Sequence, residues 1–404
     1  AAADASIRAD WDVATDARPH EVQALFPRTV AVGIEHGTVG VLARDGTLIE
    51  VTTFRRDIET DGRHAVVTFA DSIEDDLARR DFTINALAWR PATDELRDPF
   101  RGRTDLESGI LRAVGEPADR FAEDYLRVLR GLRFAGGLDL EIEEATWDAL
   151  QEAVAGLGRL SAERVREELT KVLADAAPSR ALDLYARAGA LDAWYPELAP
   201  VAEDHSRWAA NLRAVDAIAS PRRRLRLARW LVPIAEEGEA RRERGAALLG
   251  RLRFSNADTD FVLHLLRHYL PLVGPMDAAA SLRLWLAEVG PAPARDLFRL
   301  HFGAARTSDD AQHARYLLAA WRAVHGELLE HPPLRLADLA IDGSDLLELG
   351  LVQGPLVGLM LEELHAQVLE DPERNERQTL LAAARELIEL GGLDRIGRGS
   401  GAGK

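Results

Sequence analysis

The chain contains no cysteine, which removes disulfides, thiolate zinc sites and cysteine nucleophiles together. Lysine is nearly absent as well: Lys171 and Lys404 are the two present, so almost all positive charge is guanidinium. A guanidinium grips phosphate in a planar fork, and biased codon usage produces the same composition, so both explanations stand. No uninterrupted apolar run approaches the roughly 18 residues that would span a bilayer. Nor does a basic start lead into an apolar stretch and a small-residue cleavage site. The expectation is a cytoplasmic protein with no membrane partner.

With 404 residues, 47% hydrophobic and 29% charged, the chain is long enough for two to four packed units, since one core stops growing at roughly 250 residues. A net charge of −17 argues against a nucleic-acid partner, because affinity for phosphate backbones comes from cations that displace counterions. The distribution argues the other way. Residues 221–254 carry ten arginines against four glutamates, a basic stretch on an acidic body.

Up to about residue 100 the pattern is one of short β-like runs, RTVAVG, TVGVLAR, TLIEVTTF, AVVTFA and TINALAWRP, punctuated by HG, DG and TDG. A helix is predicted within PHEVQALF, from Glu21 to Phe26, with Pro19 near its start. From Pro117 onward the β signal disappears, and amphipathic helices follow one another, one of them opened by Ser161 as an N-cap residue. The class is α+β, a small sheet followed by helices. PELAP (196–200), GPMD (274–277) and HPPL (331–334) are the expected junctions between helical units. The ending GRGSGAGK resembles a phosphate loop, but its spacing fails and no helix follows it.

Three constellations carry chemistry. Asp10 and Asp12 flank a tryptophan in RADWDVATDA. In a strand, residues two apart face the same way, so both carboxylates can reach one hard cation, although a solvated strand end explains them equally. Glu50 in LIEVTTF is a third acid, able to approach if its strand neighbours the first. RRDFTINAL places Arg79, Arg80 and Asp81 before Asn85; it is either a charged turn or a clamp on phosphate and ribose. In EDYLRVLRGLRF, Asp124 and Arg127 stand three apart, followed by Arg130 and Arg133 at further steps of three, a spacing that usually marks a surface salt-bridge ladder.

Taken in order, these blocks resemble the class II tRNA nucleotidyltransferases, the CCA-adding enzymes, and the related bacterial poly(A) polymerases. The likeness runs through DWDVATDA, LFPRTVAVGIEHGTV, EVTTFR, DGRH, RRDFTINALA, DPFRGRTDL, EDYLRVLRGLRF and LSAERVREEL, and LADLAIDGSDLLELGLVQGPLVGLMLEELHAQVLEDP looks like the tail helices of bacterial CCA-adding members. The resemblance implies a seahorse-shaped protein: a nucleotidyltransferase head over residues 1–116, a helical neck over 117–195, a body over 196–330 and a tRNA-binding tail over 331–404. It implies that Asp10 and Asp12 hold Mg²⁺, with Glu50 as a third catalytic acid. Arg79, Arg80, Asp81, Asn85, Arg130 and Arg133 would bind the nucleotide. Asp124 and Arg127 match the E-D-x-x-R residues that read the incoming base without a template. The chemistry agrees: a carboxylate only accepts and a guanidinium only donates, which fits an edge presenting an amine beside a ring nitrogen, as cytosine and adenine do. Uracil and guanine present a carbonyl and an N–H there, leaving a charge unpaired.

The expected activity is addition of CCA to the tRNA 3′ end from CTP and ATP by two-metal nucleotidyl transfer, in a monomer or homodimer. The basic stretch, through Arg222, Arg223, Arg224 and Arg226, is expected to contact tRNA phosphates. TTFRRDIETDGRHAVVTF resembles the flexible loop of CCA-adding members and favours that activity over poly(A) synthesis; an A-adding specialist or an inactive RNA-binding descendant shares the remaining motifs. The family carries a strand and a Gly-Gly-x-V-R-D block before the D-x-D pair. AAADASIRA stands in that place, so the first strand and phosphate loop are expected to be missing and activity weakened.

Overall fold

The structure, a computed structural model, describes residues 12–34, 37–60, 65–219, 221–235, 240–269 and 279–389. Asp10, the segment AAADASIRA, the junction GPMD and the ending GRGSGAGK lie outside the described residues. Two compact units form, Ala1–His205 with Leu248–Phe254, and Ser206–Ala247 with Ser255–Lys404.

The first unit begins with β1 (Asp12–Thr15), α1 (Pro19–Leu25), β2 (Thr29–Ala31), β3 (Thr38–Leu42) and β4 (Leu48–Thr53). Their sheet has the order β1-β4-β3-β2, with β1 parallel to β4 and the other pairs antiparallel. One face is apolar by strand alternation: Val39, Val41 and Val51 pack against Val22 of α1. Pro19 at the first helical position and Glu21, whose carboxylate accepts the Arg18 N–H at 2.6 Å, start that helix.

A hairpin of β5 (Arg55–Thr60) and β6 (Ala65–Phe69) leads to α2 (Ile73–Ala78), capped by Ser72, whose hydroxyl accepts the Asp75 N–H at 3.2 Å. Here the chain departs from the expected single strand TINALAWRP. Thr83–Asn85 is a 3-10 turn, and the strand β7 (Ala88–Arg90), paired with β8 (Glu95–Arg97), starts after it. The cause is Asp81, whose Oδ1 accepts from both the Phe82 N–H (2.9 Å) and Asn85 Nδ2 (3.0 Å), drawing the backbone into a turn. Next come α3 (Gly102–Glu107) and β9 (Ile110–Leu111), which pairs with β10 (Glu141–Ile142), a strand beyond Pro117 too short to show a period.

The helices of this unit are α4 (Pro117–Glu123), α5 (Leu126–Leu138), α6 (Glu144–Ala153), α7 (Ala162–Ala174), α8 (Pro178–Arg187), α9 (Ala190–Trp194) and α10 (Ala199–Glu203). Phe82 is fully buried and sits between Phe121 (6.4 Å between centroids) and Phe134 (6.1 Å), joining the turn after α2 to α4 and α5. α5 and α8 cross at close range. A Cβ on Gly136 would fall 2.4 Å from the Ala181 nitrogen, so the crossing requires glycine there.

The second unit is helical among the described residues: α11 (His205–Asp216), α12 (Arg223–Ala235), α13 (Ala240–Arg251), α14 (Asn256–His268), α15 (Ala279–Val289), α16 (Pro291–Ala305), α17 (Ala311–Leu329), α18 (Gly343–Glu348), α19 (Pro355–Glu370) and α20 (Arg377–Glu389). Phe298 of α16 anchors one core against Trp285 and Trp321, at 6.4 and 5.2 Å. Leu346, Met360, Leu364, Val368 and Leu380 form another among α18, α19 and α20. Among the described residues no helix is long and apolar enough to cross a membrane.

Candidate active site

The parallel register of β1 and β4 sets Asp12 opposite Glu50, and β3 sets Gly40 on the other side of Glu50. Registered residues of adjacent strands share a face, here the face opposite the apolar layer under α1. Both carboxylates are exposed, and among the described residues neither side chain forms an ion pair or hydrogen bond. Two hard oxygen donors on one open sheet face suit a divalent cation that keeps several waters and needs few carboxylates. No cluster of three or more metal-ligating side chains occurs among the described residues.

The segment after α2 is a network. Arg80 Nη2 donates to Asp76 Oδ2 at 3.1 Å, and buried Asp76 also accepts the Arg55 N–H at 3.1 Å. Asp81 is likewise buried, and Arg130 Nε donates to its Oδ2 at 2.6 Å. Burial pushes the Asp81 carboxyl up, but the Arg130 charge and the bonds from Asn85, Arg130 and the Phe82 N–H outweigh it and hold the group below the usual carboxylate range. Asp81 thus ties Asn85 and Arg130 together, with both oxygens engaged inside the protein.

The helix expected to carry Asp124 and Arg127 as rungs of one ladder is broken. α4 ends at Glu123, and Asp124 is extended, with φ −156° and ψ 106°. Its Oδ1 accepts the Leu126 N–H at 3.0 Å, so Asp124 helps start α5. The break is locked by Tyr125 lying against Gly156, where a Cβ would sit 2.1 Å from the ring. Asp124 Oδ2 accepts from Arg164 Nη2 of α7 at 2.6 Å. Arg127 pairs with Glu123 and donates to the Arg120 carbonyl at 2.8 Å and, through Nη2, to the Arg79 carbonyl at 3.0 Å. The two residues therefore do not pair with each other; each is held by a separate partner, which fixes one acceptor and one donor in place.

Arg133 is oriented differently. Its Nε donates to Glu168 Oε2 at 2.7 Å, and Lys171 holds the other oxygen at 2.7 Å. Burial pushes Glu168 up, and bonds from Lys171 and Arg133 reverse this and leave it below the usual range. The Phe134 ring lies beside both Arg130 and Arg133, at 5.3 and 4.1 Å. Arg120 escaped the sequence reading, and Glu123 and Arg164 entered it only as parts of the E-D-x-x-R and LSAERVREEL blocks, not as site residues. Arg164 lies in LSAERVREEL, but nothing in its own spacing points to a carboxylate forty residues earlier.

The basic stretch needs correction. Arg226, expected to contact RNA, is 1% exposed and donates through Nε to the Ile218 carbonyl at 2.9 Å, so it is a core residue. It folds inward because that carbonyl, just beyond α11, lacks a helical partner. Arg224 pairs with Asp258 at 2.6 Å, while Arg222 and Arg223 are exposed. Arg229 is buried, and Arg251 and Arg253, which themselves belong to the first unit, pair within it with Glu197 and Glu163. The stretch is not one continuous basic surface.

Residues 4–112 match the poly A polymerase head domain, and residues 139–201 match the probable RNA and SrmB-binding site of polymerase A. A CCA-adding enzyme of Anoxybacillus flavithermus is 36% identical over 380 residues, spanning 92% of this chain and 87% of that protein. One from Pediococcus pentosaceus is 32% identical over 386 residues, 94% and 89% of the two chains. The crystal structure of the Bacillus stearothermophilus CCA-adding enzyme in complex with CTP superposes with a TM-score of 0.73 at 29% identity, covering 96% of this chain and 90% of that one. With a relative above 30% identity matched over most of its length, the chain belongs to the family of CCA-adding enzymes.

Proposed function

We propose that this chain adds CCA to the 3′ end of tRNA, taking CTP and ATP and releasing pyrophosphate, without a nucleic-acid template. The observation that carries the reading is the bond from Arg127 Nη2 to the Arg79 carbonyl. It joins the E-D-x-x-R segment to the RRD segment, so a group that presents a guanidinium to a base is fixed against the segment that presents guanidinium groups to phosphate. Asp124, fixed by Arg164, supplies the acceptor of the same edge. Arg130, oriented by Asp81, supplies charge beside it. Cytosine and adenine satisfy one donor and one acceptor; uracil and guanine present the reversed pattern and leave both unpaired, and that penalty is the selectivity.

Asp12 and Glu50, together with Asp10, would hold the divalent cation, which we take to be Mg²⁺; when bound it supplies charge neutralisation for the triphosphate and activation of the tRNA 3′-hydroxyl. For function we divide the chain into a head over 1–116, a neck over 117–195, a body over 196–330 and a tail over 331–404, acting in the cytoplasm as a monomer or homodimer. The names of the relatives, each matched over more than four fifths of its length, support CCA addition over its alternatives. The test is to incubate the chain with tRNA lacking its 3′ end and each nucleotide alone or combined. CTP with ATP should give a product longer by three nucleotides. Growth with ATP alone into a long tail would replace the reading with poly(A) synthesis, a single added A with an A-adding enzyme, and tRNA binding without extension with an RNA-binding protein.

A further inference from the structure

Within the second unit a cavity of about 230 Å³ is lined by Arg222, Arg299 and Arg306, with Ile218, Leu225 and Phe302 among its apolar walls. Its construction follows from helical spacing. Arg299, Phe302, Gly303 and Arg306 stand at i, i+3, i+4 and i+7 along α16 and just past its end, one stripe of that helix. The stripe faces the turn between α11 and α12, where Ala217, Ile218, Ala219 and Arg222 supply the other wall. Arg226, buried beneath, holds that turn by its bond to the Ile218 carbonyl.

The charge in this cavity is unbalanced. No carboxylate is among its lining residues. Arg299 pairs with Asp296 at 2.5 Å, whereas neither Arg222 nor Arg306 forms an ion pair among the described residues. Arg222, Arg299 and Arg306 are exposed at the cavity, and with Arg299 balanced by Asp296 two like charges are left to repel each other there, in a chain whose net charge of −17 offers carboxylates freely. Unpaired like charges lining one cavity with no carboxylate among them are a local conflict of the kind found where a ligand binds. The ligand chemistry is set by the donors: planar guanidinium forks match the oxygens of a phosphate group, and the apolar wall suits the sugar carbons attached to it.

We infer that this cavity is a phosphate-binding pocket, formed by Arg222, Arg299 and Arg306, that takes one phosphate group. The pocket rests on its own geometry; the source of the phosphate, a backbone phosphate of tRNA rather than a free ion, rests on the proposed function.

The two are separated by a double substitution, Arg222→Gln with Arg306→Gln, against a control, Arg213→Gln with Arg295→Gln, which removes two exposed arginines of α11 and α16 outside the pocket. In a salt titration of tRNA binding, the pocket variant should lose roughly one unit of slope in log affinity against log salt, the signature of one lost phosphate contact, and the control should lose much less. CTP affinity, read in parallel, should stay unchanged in both. Equal losses in the two variants, or none in either, would overturn tRNA as the source of the phosphate; the pocket itself is overturned if inorganic phosphate stabilises the native chain and the pocket variant alike, or neither of them. Thermal stabilisation by inorganic phosphate is the second arm. Stabilisation of the native chain that is reduced in the pocket variant, with no difference between them in tRNA slope, retains the phosphate pocket and overturns tRNA as its source. A chain that fails to extend tRNA but keeps the phosphate response loses the proposed function and not the pocket.

Discussion

α5 and α12 are both 13-residue helices rich in arginine, and their arginines meet opposite fates. In α5, Arg127, Arg130 and Arg133 find Glu123, Asp81 and Glu168, three carboxylates from three different elements. Every pair is partly shielded from water, so charge is fixed in direction while some donor capacity remains. In α12, Arg226 and Arg229 turn into the core, Arg224 pairs with Asp258, and Arg223 is left in solvent. Both are arginine-rich, with three arginines in α5 and four in α12, and what separates the two helices is the partner each arginine meets. Arg127 also donates to the Arg120 and Arg79 carbonyls but keeps its carboxylate partner, whereas Arg226, 1% exposed, donates to the Ile218 carbonyl from inside the core and is a structural bolt.

The comparison can be broken most directly at Arg127. Arg127→Ala should lower nucleotidyl transfer at least about 100-fold, near 3 kcal/mol, because it removes the proposed donor to the base and the tie to Arg79 together. The residual product, measured with all four nucleotides on tRNA lacking its 3′ end, should show a weakened preference for CTP and ATP. Wild-type selectivity in that variant would reduce α5 to the same structural role as α12. Arg226→Ala is the counterpart. It should cost about 2 to 4 kcal/mol in chemical denaturation, from a cavity and an unpaired carbonyl, with CTP affinity per folded molecule unchanged. A loss of CTP binding without loss of stability would reverse the assignment.

Arg164→Ala sharpens the contrast at the next scale. Freed of its partner, Asp124 should lose its fixed direction and selectivity should fall roughly tenfold, about 1.4 kcal/mol, while tRNA affinity is retained. Arg164→Lys should restore part of it, since a charge remains without the fork.

The last expected effect is one of pH, and it differs between the units. His301 in the second unit stacks on Tyr269 at 4.2 Å and donates to its carbonyl at 3.0 Å. Burial foremost, then the charges of Arg229 and His313, depress it from 6.5 to about 3 against the favourable bond to Tyr269. Between those values the unfolded chain binds a proton that the folded one refuses. Stability from this group is therefore full above 6.5 and is lost as pH falls toward 3, by at most about 1.4 kcal/mol per pH unit. In the first unit Asp81 and Glu168 are held below 3.8 and 4.5 in the folded state, so their contribution is present above those values and lost only at lower pH. Denaturation followed by tryptophan fluorescence at pH 7, 5.5 and 4 should show His301→Asn flattening the upper part of the profile. An unchanged slope between pH 6.5 and 5 would show that His301 titrates normally.

The sequence by itself determined the small sheet, the succession of helices and the blocks that place the chain in its family, because strand alternation, helical period and short motifs are local. Alternation set Val39, Val41 and Val51 on one face and left Glu50 on the other. Only the tertiary structure decided which strands pair, and hence that Asp12 stands beside Glu50 across 38 residues of chain. The same holds for Asp124, whose spacing from Arg127 indicated a ladder until Tyr125, seated on Gly156, broke the helix between them. Arg226 reads like its neighbours in sequence, and its burial follows from an open carbonyl at the end of another helix. A helix end, a glycine that admits a ring and a carboxylate forty residues away leave no periodic trace, since each depends on a partner that the chain meets only after folding.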